Sequence, residues 1–219
     1  MFESITNNFT LSDLSSSGLV VDLPDAIHDF YYNWIITLNW TISAVAHTEQ
    51  FTITANTKTL ISFTNSLDLT GATGLSYTVA FVTQDLITRS ESDMSISSKV
   101  PSALYTKKET VTKQYFTQKI KAYFRNLLTK YPDIDPTTLI YNLFEIQMTF
   151  IYYLISQIYF DLIVEPGDTN ELKYNEYLRL HKSLFDDSMS LLAVDEDESG
   201  ALSNAEKAVS PSSGGLLSR

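Results

Sequence analysis

Trp34-Ile-Ile-Thr-Leu-Asn-Trp-Thr-Ile-Ser-Ala-Val45 sets Trp34, Ile36, Leu38, Trp40, Ile42 and Ala44 on one side of an extended chain, and Ile35, Thr37, Asn39, Thr41, Ser43 and Val45 on the other. A two-residue period held this long marks a half-buried β-strand, because successive side chains of a strand point to opposite faces. Shorter runs follow: Phe51, Ile53 and Ala55, then Leu60, Ile61 and Phe63, then Tyr77, Val79 and Phe81. Turn-like breaks at Ala55-Asn56, Asn65-Ser66 and Gly71 to Gly74 punctuate them. Four or more short strands predict a small antiparallel sandwich or barrel over residues 30–88. Upstream, residues 1–29 are rich in Ser, Asn and Asp and read as an extended N-terminal arm with one short strand at Leu19 to Leu23.

Downstream the pattern changes. The polar stretch from Arg89 to Pro101 marks a linker over 89–104, and residues 105–194 read as a helical domain of about three helices, which makes the fold class α+β with extended termini. The first helix, Thr106 to Lys130, carries Val111, Tyr115, Ile120, Tyr123, Phe124, Leu127 and Leu128 on one stripe and stops at Pro132. Asp135-Pro136 supplies an N-cap and a first-turn proline for a second helix running to Val164, ended by Pro166-Gly167. Its apolar residues occupy nearly every face, so it needs cover on all sides, and contacts with other copies are the natural source. A third helix starts near Asp168 or Thr169 and places Leu172, Tyr177, Leu178, His181, Leu184, Phe185, Met189 and Leu192 at helical spacing. His181 reads as a core or interface residue, since no second His or Cys stands near it.

Composition bounds the chemistry. The chain of 219 residues has a net charge of −11, no cysteine and three histidines, His28, His47 and His181. That excludes disulfides, thiolate nucleophiles and thiolate zinc sites, and leaves little for an imidazole-built metal centre. An acidic surface argues against free nucleic acid as the main partner. The charge is segregated: residues 1–100 carry −7, 101–130 carry +6, and 131–219 carry −10. The basic stretch holds Lys107, Lys108, Lys113, Lys119, Lys121, Arg125 and Lys130 against Glu109 alone. It suits a nucleic acid or anionic lipid surface, or, as is commoner for such a helix, solvent or an acidic neighbour. The start, Met1 to Thr10, has no basic or long apolar run and predicts no export signal. The most apolar segment, Leu139 to Val164, is broken by Asn142, Glu145, Gln147, Ser156, Gln157 and Asp161, too often for a membrane span. No glycine-rich phosphate loop, Gly-x-Ser-x-Gly elbow or His-Glu-x-x-His helix is present, so the expectation is no enzyme; a carboxylate pair assembled from distant segments stays open.

One stretch has ligand spacing. Asp195-Glu-Asp-Glu-Ser-Gly-Ala-Leu-Ser-Asn-Ala-Glu206 resembles an EF-hand calcium loop, in which a hard cation takes oxygens from positions 1, 3, 5, 7, 9 and 12 around a glycine at 6. The resemblance implies that Asp195, Asp197 and Ser199 supply the first three ligands. Ala201 gives its backbone carbonyl, Ser203 acts directly or through water, and Glu206 is the bidentate carboxylate. Gly200 makes the turn and Leu202 takes the apolar packing position. Ser at position 5 removes a charge common there, no second loop exists to pair with, and the exiting helix is short before Pro211. A structural Ca2+ staple for the tail 207–219 therefore fits better than a calcium switch; a merely solvated acidic loop is the competing reading.

The layout of β domain, helical domain and low-complexity tail broadly resembles the virion proteins of tailed bacteriophages, among neck, head–tail connector and adaptor subunits. That resemblance implies a non-enzymatic structural protein, assembled in the host cytoplasm into a homo-oligomeric ring with other virion subunits and no membrane partner. Head-to-tail ring contacts join unlike surfaces, which suits the charge segregation. The alternative is a stand-alone Ca2+-dependent module that binds a glycan or protein.

Overall fold

The computed structural model describes residues 2, 4–22, 31–57, 59–91, 100–125, 140 and 142–193. Eight strands come first: β1 Ile5–Asn8, β2 Leu14–Ser15, β3 Gly18–Val20, β4 Ile35–Ile42, β5 Val45–Thr52, β6 Ala55–Asn56, β7 Leu60–Ser62 and β8 Thr73–Ala80. They form two antiparallel sheets in the orders β1-β8-β4-β5 and β2-β3-β7-β6. Helices α1 (Gln84–Ser90), α2 (Ser102–Tyr123), α3 (Gln147–Leu162) and α4 (Thr169–Ser190) follow, with a 3-10 turn Leu143–Ile146 leading into α3. The chain is an α+β protein, as its patterning indicates.

The alternation in β4 resolves as expected on its inner face, where Trp34, Ile36, Leu38 and Trp40 are buried. The strand is shorter than the pattern suggests. Ser43 and Ala44 have φ of 50° and 65° and make a two-residue turn, so Val45 already belongs to the returning strand β5. Of the residues expected as an N-terminal arm, Ile5–Asn8, Leu14–Ser15 and Gly18–Val20 are folded into the sheets instead, and 23–29 lie outside the described residues. Phe2, Phe9 and Leu19 are buried, β1 pairs with β8, and the strand expected at Leu19 to Leu23 is Gly18–Val20. Gly18 permits β3 to pair with β7, since a Cβ there would collide with the Ile61 carbonyl oxygen.

Sheet and helices share one core. Phe81, at the end of β8, lies 5.1 Å from Phe2, 5.1 Å from Trp34 and 5.2 Å from Phe150 of α3, and Phe150 continues to Phe116 of α2 at 5.1 Å. Buried residues on both sides of 89–104 thus belong to one cluster. The segment read as linker begins inside α1, which ends at Ser90 and is capped by Thr83 Oγ1 accepting from Leu86 N–H at 3.2 Å. Its centre, 92–99, lies outside the described residues.

Two helix stripes differ from expectation. On α2 the buried line is Tyr105, Lys108, Thr112, Phe116 and Ile120, while Val111 and Tyr123 are exposed. Ile120 and Phe124 are buried as expected and Tyr115 is half-buried, whereas Tyr105, Lys108, Thr112 and Phe116 lie off the expected stripe; Leu127 and Leu128 lie outside the described residues. On α4, Tyr177, His181 and Met189 are buried, but Leu172 and Leu184 are exposed. The second helix begins only at Gln147, and Asp135-Pro136 lies outside the described residues. Cover for α3 comes from within the chain: α2, α4, Phe2 and the end of β8 surround Phe150, Ile151, Leu154, Ile155, Ile158 and Tyr159. Most of α3 is thus covered within the chain, while Met148 and Phe160 stay exposed.

Candidate functional site

The six candidate ligands Asp195, Asp197, Ser199, Ala201, Ser203 and Glu206, with Gly200 and Leu202, lie outside the described residues. The approach to them is described. Asp168 caps α4, accepting from Glu171 N–H at 2.7 Å and Val164 N–H at 3.0 Å, and these bonds hold its carboxyl below the usual carboxylate range. The helix ends at Ser190. Leu191 to Ala193 follow outside the helix, whereas the sequence predicts a helix running directly into the loop. Asn142 clamps this exit: its amide donates to the Leu191 carbonyl at 2.7 Å and its oxygen accepts from Ala193 N–H at 2.7 Å. With Leu192 buried beside them, the chain leaves the core from a fixed point. Among the described residues, no group of three or more His, Cys, Asp or Glu side chains could hold a metal ion.

His181 is where the described polar chemistry concentrates. It is 3% exposed and ringed by Tyr153 (4.9 Å) and Phe185 (5.2 Å), with Tyr115 and Phe116 both at 5.8 Å. Its Nδ1 lies 2.9 Å from Thr149 Oγ1 and 3.2 Å from the Thr149 carbonyl, and its Nε2 lies 3.4 Å from the Tyr115 hydroxyl. A neutral ring protonated on Nδ1 satisfies these contacts, donating toward Thr149 and accepting from Tyr115. Burial pushes its pKa down, with Lys182 and Lys119 adding repulsion against a second proton, while the Thr149 carbonyl opposes the shift. The ring ties α4 to α2 and α3, which matches its reading as a core histidine.

Three further polar side chains join elements. Gln147 Nε2 donates to the carbonyls of Phe81 at 2.7 Å and Asn33 at 3.1 Å, pinning the start of α3 to the sheet. Lys108 Nζ meets Asp161 Oδ1 at 2.7 Å, joining α2 to α3. Glu91, 3% exposed, faces Lys173 Nζ at 3.7 Å. Sequence reading missed these roles, although the signal was present: Asn142, Gln147, Ser156 and Asp161 are the polar breaks in the apolar run. Ser156 Oγ donates to the Tyr153 carbonyl at 2.7 Å. Among the described residues, no helix is long and apolar enough to cross a membrane.

Fold and geometry define the class as an α+β protein in which His181, Gln147 and the Lys108–Asp161 pair tie separate elements together. No protein-family model, curated protein or solved structure matches the chain.

Proposed function

We propose that the chain is a non-enzymatic structural subunit of a large assembly, of the kind that forms the neck, head–tail connector or tail adaptor of a tailed-phage virion, with a structural Ca2+ site at 195–206. The observation that carries this reading is the one-signed surface of α2. Its exposed charged side chains, Lys107 and Lys119, are basic, and its one acid, Glu109, is half-buried and paired with Lys113 at 2.9 Å. A basic helix face and an acidic C-terminal stretch on the same chain suit head-to-tail contacts between copies, in which unlike surfaces meet. The virion assignment rests on the broad resemblance of the layout alone.

Electron microscopy of the purified full chain tests it. Closed rings are expected, and the charge reversal K107E/K119E is expected to break them. A parent protein without any closed assembly, or a reversal that leaves the rings intact, would refute the head-to-tail contact.

A further inference from the structure

β5 is an eight-residue strand at the open end of its sheet, exposed from Val45 to Glu49, and among the described residues no strand pairs with its far side. Such edges usually carry a guard: Lys, Pro, a bulge or inward-pointing charge. Here the β4–β5 register runs unbroken, and Val45 to Thr52 contains no Lys, Arg or Pro. The strand's titratable groups, His47 and Glu49, sit on the inner face, because they oppose Trp40 and Leu38 of β4.

The direction of the free backbone groups can be read from the pairing. In a hairpin with a two-residue turn the residues flanking the turn, Ile42 and Val45, form a hydrogen-bonded pair, so the odd-numbered residues of β5 bond to β4. Just beyond the strand, Ile53 N–H donates to Trp34 O at 2.9 Å, whereas Thr54 N–H turns the other way to Ser62 O at 2.9 Å. Ala46, Thr48 and Gln50 therefore point their N–H and C=O groups outward.

We infer that this edge pairs antiparallel with β5 of a second copy, about a two-fold axis through Thr48. Hydrogen-bond phase admits only registers in which outward residues meet outward residues. Centring on Thr48 joins Thr48 to its own copy and Ala46 to Gln50, and sets His47 against Glu49 and Val45 against Phe51 in the closer, non-hydrogen-bonded pairs. The neighbouring allowed registers put Glu49 against Glu49 or His47 against His47. Two groups that would repel a foreign strand are thus complementary to their own copy, which fixes both partner and register. This contact does not depend on the assembly reading above: it is isologous, uses a different surface from α2, and joins copies in pairs whether or not rings form.

The chain has no cysteine, which makes a register test clean. The single variants H47C and E49C are purified, oxidised separately and as a mixture, and run on non-reducing gels. The His47 and Glu49 positions face each other only across the axis, so the mixture is expected to give a disulfide-linked dimer and each variant alone to give little. Equal cross-linking of either variant alone, or none in the mixture, would overturn the inference. In parallel, sedimentation should show pairing weakened about tenfold in H47E, which opposes two acids twice per dimer, and restored in H47E/E49K. Pairing that ignores both changes would equally overturn it.

Discussion

His181 gives the fold an acid limit of its own. Its pKa is lowered in the folded chain by burial, so the unfolded chain binds the proton more readily. Stability is therefore full above the unfolded value of about 6.5 and falls as pH drops below it toward the folded pKa. Thermal melts should show H181Q less stable than the parent near neutrality, with the difference shrinking as pH falls toward about 5; a constant difference would mean that the ring is not held neutral. Ala44 offers the opposite kind of change. It sits at φ 65° in the two-residue turn, where a side chain costs about 1–2 kcal/mol and glycine does not. A44G should raise the melting temperature by about 2–4 °C. Neither feature was fully legible in the sequence: His181 read correctly as buried, but Ser43 and Ala44 continued the alternation of β4 and lacked the Asn or Gly that announces such a turn.

At the scale of elements, the polar residues interrupting α3 do most to position it. Gln147 satisfies two backbone carbonyls at the junction of sheet and helix, and Q147L would leave both without their donor. A loss of about 1–3 kcal/mol in denaturant unfolding is expected, with little change in Q157L as control. Periodicity revealed that α2, α3 and α4 exist, and it placed the start of α4 near Asp168 or Thr169, where the helix begins at Thr169. It placed Ile120 and Phe124 on the buried side but missed Lys108, because the Lys108–Asp161 pair belongs to two helices at once. A pattern read along one helix cannot show that a charged side chain is matched across the interface. In the N-terminal stretch one short strand was expected, near β3, while β1 and β2 escaped: β2 pairs only Leu14 with Leu19 and Ser15 with Gly18, too few residues for a period to emerge.

For the whole molecule, one core spans sheets and helices, so the surface rather than any internal division decides what the chain can join. The apolar α3, which in sequence called for neighbours, is covered by its own chain over most of its surface, with Met148 and Phe160 left exposed, and the case for assembly rests on the basic face of α2 and the edge of β5. The Ca2+ reading belongs at this scale too, because the proposed loop follows the point where Asn142 holds Leu191 and Ala193 against the core. Calorimetric titration of the full chain should show Ca2+ binding that D195A and E206A each abolish, since each removes a shell carboxylate; binding unchanged in both would discard the site. Assembly itself is tested most directly by sedimentation velocity of the full chain over a dilution series. A closed oligomer of fixed size that persists on dilution is the expected result. A single species at monomer mass at every concentration would contradict it.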